Sequence, residues 1–135
     1  MDRQKAYPEA KELLEFARQH GKKCYVYTHS DKWVYDLMDR MQILEYFDFV
    51  LDRSYNFPSK PAPDAINFMC EKCNIDKSKA LMIGDRDIDI KVGHNAGIDA
   101  CLIDEGGYYK DCEAEYKIEV LSELKSIITG EAERV

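Results

Sequence analysis

Three histidines, four prolines and one tryptophan are spread over 135 residues. No apolar run comes near the roughly 18 residues that a membrane-crossing helix needs. Positive charge is the scarcer sign: 19 Lys and Arg stand against 26 Asp and Glu, a formal net charge of −7. That shortage argues against a nucleic-acid footprint and against docking on an anionic membrane. It admits a small phosphorylated molecule, because one lysine inside a pocket outweighs the global field locally. The few histidines show no zinc-site spacing. The five cysteines are an odd number and lack the look of a disulfide scaffold, so reduced thiols in the cytoplasm are expected. Met1–Pro8 is polar, and no leader peptide is read there. Internal repeats and low-complexity tracts are absent too. What remains is an ordinary globular mix, 45% hydrophobic and 33% charged. It is expected to form a single domain over residues 1–129, with 130–135 as a tail.

Apolar runs alternate with helical patterns along the chain. Pro8–His20 carries Ala10, Leu13, Leu14 and Ala17 at helical spacing, with Gly21 as the stop. Cys24–Tyr27, ending in Thr28, reads as a buried parallel strand. Asp31–Met41 reads as a helix capped by Ser30. Phe49–Leu51 is a strand, Arg53–Ser59 a loop and Pro63–Cys73 a helix. Ala80–Ile83 is a strand stopped by Gly84, and Ile88–Ala96 a helix closed by Gly97. Ala100–Ile103 is a strand, Asp104–Cys112 a loop, Tyr116–Val120 a short edge strand and Leu121–Ile128 a helix. This alternation predicts an α/β fold with a mainly parallel sheet covered on both faces. Chemistry in such sheets gathers outside the carboxyl ends of the strands.

Three segments at those ends carry candidate residues. In Gly84-Asp85-Arg86-Asp87-Ile88-Asp89 a glycine lets the backbone turn sharply, and Asp85 and Asp89 fall one helical turn apart. Two such carboxylates suit a hard cation, although acidic residues at a helix start also simply complement the dipole. Asp87 points elsewhere and is read as solvated. Thr28-His29-Ser30 places a hydroxyl and a helix entrance after a strand, which suits an anion or an ordinary cap. His29 as a general base competes with His29 as plain polar surface. Lys60 precedes Pro61 and Pro63, so its ammonium is rigidly placed. Cys70 and Cys73 form a Cys-x-x-Cys pair inside a helix without a second pair, so Cys73 is read as core. His20 and His94 show no partner pattern.

Taken in order, strand-Thr28, Lys60-Pro61 and Gly84-Asp85-x-x-x-Asp89 resemble the second, third and fourth motifs of the haloacid dehalogenase (HAD) superfamily. The stretch Gly84–Ile90, with Gly93, Ala96 and Gly97, is similar to its phosphoglycolate-phosphatase-like branch. The resemblance runs from about Tyr7 to Ile128 and implies a three-layer Rossmann-like core. It implies a Mg2+-dependent phosphatase acting on a small phosphorylated metabolite through an aspartyl-phosphate. Thr28, the N–H of His29 and Lys60 would then bind the phosphoryl group, with Thr28 and Lys60 in catalysis. Asp85 and Asp89 would hold the metal.

The family's opening strand, followed by Asp-x-Asp, has no counterpart before Tyr7. After the strand at Leu102-Ile103, Gly106 stands where the second carboxylate would follow Asp104. The first strand, the nucleophile and the cap are therefore read as missing, and this chain as inactive alone. That strand would lie between the strands ending at Thr28 and Gly84, and its loss would leave interior edges unpaired. Three repairs are expected: a segment supplied elsewhere, strand exchange or other self-association, or direct pairing of the two strands. The alternative function is a non-catalytic HAD-like binding or regulatory module. A receiver domain, which also uses Asp, Thr and Lys on a parallel sheet, carries its acidic cluster before them, the reverse of the order here.

Overall fold

The computed structural model describes residues 7–28, 33–40 and 42–130. The chain divides into two compact units. Among the described residues, one runs up to Asn56 and takes in the segment from Leu121, and the other is Phe57–Val120.

In the first unit, α1 (Tyr7–Gln19) leads to β1 (Cys24–Tyr27), then α2 (Trp33–Arg40) and β2 (Phe47–Leu51). The start of the second helix at Asp31, its Ser30 cap and Met41 lie outside the described residues. The strands pair in parallel, with Tyr25 opposite Phe49 and Tyr27 opposite Leu51. Every residue of β1 is half-buried rather than buried. The fully buried strand expected from its apolar run is therefore not found, since β2 is its one ladder neighbour among the described residues. A turn at Leu44–Tyr46 rests on α1: Tyr46 donates its hydroxyl to Glu15 at 2.8 Å and stacks under the Arg18 guanidinium. The predicted last helix is shorter than expected. Leu121–Glu123 is a 3-10 turn, and α5 covers only Leu124–Ile128. Lys125 of α5 reaches Glu12 of α1 at 3.3 Å.

The second unit holds α3 (Asp64–Lys72), β3 (Leu81–Gly84), α4 (Asp87–Asn95), β4 (Asp99–Ile103) and β5 (Tyr116–Ile118). Its three strands lie in the order β3-β4-β5, all parallel, with Gly84 opposite Leu102 and Ile103 opposite Ile118. Ile90, Ala100, Leu102 and Ala114 form its core, with Met82, Tyr109 and Cys112 packed against it. The two ladders are separate sheets among the described residues.

Helix ends repeat one device. At Gly97 (φ +82°), Ile98 N–H donates to Gly93 C=O and Gly97 N–H to His94 C=O, closing α4 through a left-handed residue. Asn74 (φ +55°) and Gln42 (φ +59°) play the same part after α3 and α2 without being glycine. An Asp-x-Ser device opens two short turns: Ser78 donates its N–H and hydroxyl to Asp76, as Ser54 does to Asp52.

Gly93 faces β3, and a Cβ there would lie 2.8 Å from Met82 Cβ. An open helix favours Ala over Gly by about 1 kcal/mol. Here the contact is with the first carbon of a strand side chain, which cannot swing away, and such overpacking costs about 1–3 kcal/mol. Gly93→Ala should therefore destabilise by up to about 2 kcal/mol, read as a lower urea midpoint at unchanged slope.

His94 has a partner that its sequence neighbourhood does not show. Its Nε2 lies 2.8 Å from Glu115, whose carboxylate also accepts the Ala100 N–H at 2.7 Å. Burial works to raise the Glu115 carboxyl, but the hydrogen bonds from His94 and Ala100 outweigh it and hold the group below the usual range. A carboxyl lowered by folding stabilises fully above its unfolded value of about 4.3. That stability is lost as pH falls through the folded value. Glu115→Gln should therefore be less stable than the parent at about pH 7, and the gap should close as pH falls below about 4.3, by urea denaturation.

Candidate active site

The carboxyl end of β3 sets up the second unit's acidic cluster. The strand ends on Gly84, Asp85 follows and is exposed, Arg86 is the extended residue before α4, and Asp89 sits in that helix's first turn. Gly84 is not in a left-handed conformation, so the sharp turn expected of it is not its reason for being glycine. A Cβ on Gly84 would overlap the Cβ and carboxyl of Asp89. Only a bare Cα lets the helix carry its carboxylate down onto the strand end.

Asp89 is 7% exposed, and its Oδ1 accepts from Lys60 Nζ at 2.6 Å. The side chains of both are largely covered, at 15% and 10% exposure. Lys60 stands in a turn closed by Ala62 N–H donating to Ser59 C=O at 3.0 Å. Asn95, the last residue of α4, donates its side-chain amide to the Pro61 C=O at 2.9 Å. The proline-bounded placement of Lys60 read from the sequence thus ends in a contact with Asp89, twenty-nine residues away.

β4 lies beside β3 in parallel, so the loop after it opens at the same end of the sheet as Asp85. Asp104 there accepts the N–H groups of Tyr108 at 2.9 Å and Tyr109 at 2.7 Å. It organises its own loop, which is a structural use of the second strand-Asp.

Thr28 belongs to the first unit, at the carboxyl end of β1, where its N–H donates to Leu51 C=O at 3.0 Å. His29 lies outside the described residues. At the end of β2, Asp52 is 5% exposed and accepts from Tyr35 Oη at 2.6 Å and Ser54 N–H at 2.8 Å. Burial, then the bond to Asp52, pushes the Tyr35 phenol up to about 12. This buried carboxylate was not singled out by sequence; the Asp-x-Ser spacing that places it is its one signal. Asn95 gave none.

Among the described residues, no group of three or more His, Cys, Asp or Glu side chains is placed to hold a metal ion. Mg2+, however, is commonly held by one or two carboxylates plus substrate phosphate and water. Asp85, just after β3, and Asp89, in the first turn of α4, are carboxylates of that kind. No described helix is long and apolar enough to cross a membrane.

Breaking the Lys60–Asp89 pair from either side takes from a mostly covered charge the opposite charge it meets at 2.6 Å. A double-mutant cycle of Lys60→Ala and Asp89→Ala in urea denaturation should show coupling of about 1.5–3 kcal/mol.

A family model described as haloacid dehalogenase-like hydrolase matches residues 2–103. A phosphoglycolate phosphatase of Vibrio parahaemolyticus is 36% identical over 92 residues, which is 67% of this chain and 40% of that protein. One from Pseudomonas fluorescens is 25% identical over 126 residues, 92% of this chain and 46% of that protein. The chain thus spans less than half the length of these curated relatives. The crystal structure of a HAD phosphatase from Thermococcus onnurineus superposes with a TM-score of 0.84 at 30% identity, covering 96% of this chain and 60% of the other.

Proposed function

Since the chain belongs to the haloacid dehalogenase-like hydrolases, we propose that it carries the phosphate- and Mg2+-binding part of a phosphatase for a small phosphomonoester. The observation that carries this reading is the Lys60 ammonium held on Asp89 in the first turn of α4, four residues after Asp85. In it, Lys60 offsets the charge of the phosphoryl oxygens, and Asp89 keeps the ammonium in place. By the family resemblance, Thr28 through its hydroxyl and His29 through its N–H would serve as phosphoryl-oxygen donors. Asp85 and Asp89 hold Mg2+, which when bound supplies Lewis-acid stabilisation of the phosphoryl group.

The family's attacking carboxylate and its acid/base partner match nothing before Tyr7 or at Asp104. In this proposal those residues complete the site from outside the motifs present here, phosphoryl transfer runs through an aspartyl-phosphate, and the 135-residue chain alone does not turn over. The second reading is a non-catalytic module that binds a phosphorylated ligand. It is favoured by the absence of a match to the family's attacking carboxylate among the motifs present here.

Two measurements on the purified chain test the proposal. Mg2+ with inorganic phosphate should shift the amide resonances of Gly84–Asp89 saturably, and Asp85→Ala should abolish the shift. Aryl phosphate with Mg2+ should not be hydrolysed. Turnover lost on Asp85→Ala would overturn the inactivity, and unmoved resonances would overturn the site.

A further inference from the structure

We propose that Asn95 is a positioning residue for Lys60, fixing from one end of α4 the turn whose ammonium is received at the other end. The proposal rests on the reading that Lys60 serves a phosphoryl site. Its own support is geometric. Asn95 Nδ2 donates to Pro61 C=O at 2.9 Å, and Lys60 Nζ donates to Asp89 Oδ1 at 2.6 Å. The two helix residues are six positions apart, roughly 9 Å along the axis. The lysine arm therefore runs back along α4 from the turn gripped by Asn95 to the carboxylate in the first turn.

Pro61 has no N–H to offer, so its carbonyl is the handle by which its peptide can be held. Its ring fixes φ, and a grip on that carbonyl also directs the residue before it. A lysine arm is flexible and points one way only when both ends are held. Asp89 holds the ammonium end, and Asn95 holds the backbone end. Losing the second should free the first, because the arm can then leave Asp89 for water. Asn95 is exposed, so water competes for its bond and the effect is several-fold rather than complete.

Competitive acetylation of the full chain with acetic anhydride, followed site by site by mass spectrometry, reads this directly. Lys79, exposed in the same unit, is the internal reference. Asn95→Ala should raise the Lys60 rate roughly three- to fivefold and leave Lys79 unchanged. Asn95→Asp has the same shape but sets an acceptor against the Pro61 oxygen, and should do likewise. Asn95→Gln keeps the amide donor and should give back most of the protection. A Lys60 rate unmoved in both Asn95→Ala and Asn95→Asp would overturn the proposal. So would Lys60 and Lys79 rising together, the mark of general loosening. The labelling needs no turnover. Failure of the phosphate and Mg2+ titration would therefore strike the phosphatase reading, while the labelling still decides the role of Asn95.

Discussion

An ammonium and a carboxylate that are both mostly withdrawn from water must find each other, or each costs more than a single domain can spare. Lys60 and Asp89 meet that condition at 2.6 Å, and much of the second unit is arranged around it. The helix carrying Asp89 starts close enough to β3 that the strand must end on a residue without a side chain. The same helix has to stay close to the strand at Gly93, against Met82. Two glycines, 84 and 93, are thus set by one helix–strand distance. Neither has a left-handed backbone.

Parallel pairing supplies the direction. Because β3, β4 and β5 run the same way, the loops that follow β3 and β4 leave from one end of the sheet. The two loops divide the work. After β4, Asp104 spends its oxygens on the N–H groups of its own loop. After β3, Asp85 stays exposed and Asp89 is committed to Lys60. A carboxylate at a strand tip is therefore not by itself a ligand for anything; what its oxygens already accept decides its use. The same distinction holds in the first unit, where the buried Asp52 is occupied by Tyr35 and Ser54.

The order of strands and helices was legible because each apolar run is bounded by a residue with one clear habit, such as Gly21 or Gly97. Boundaries slipped where that punctuation is missing. β2 begins two residues early at Phe47, and the last helix gives up its first turn to a 3-10 turn. Asn74 and Gln42 end helices in the conformation usually left to glycine, which their identities do not advertise. At the site, Lys60, Asp85 and Asp89 could be picked out because strand-end glycine and flanking prolines mark them. Their pairing could not, since it joins residues far apart in sequence. Glu115 and Asn95 escaped for the same reason: each acts through a contact with a distant backbone or side chain, and no local spacing encodes it. Burial was misjudged for β1, because an apolar run states what a strand could cover rather than how many neighbours it has.

The two units differ in how they use the chain. Among the described residues the second is one continuous stretch, while the first closes on itself only when α5 returns to α1 through Lys125 and Glu12. During synthesis the ribosome therefore releases 57–120 before it releases the closing helix of the first unit. The earlier part of that unit, α1 included, waits for a helix made after the other unit. The order of completion in this molecule runs against the order of its sequence.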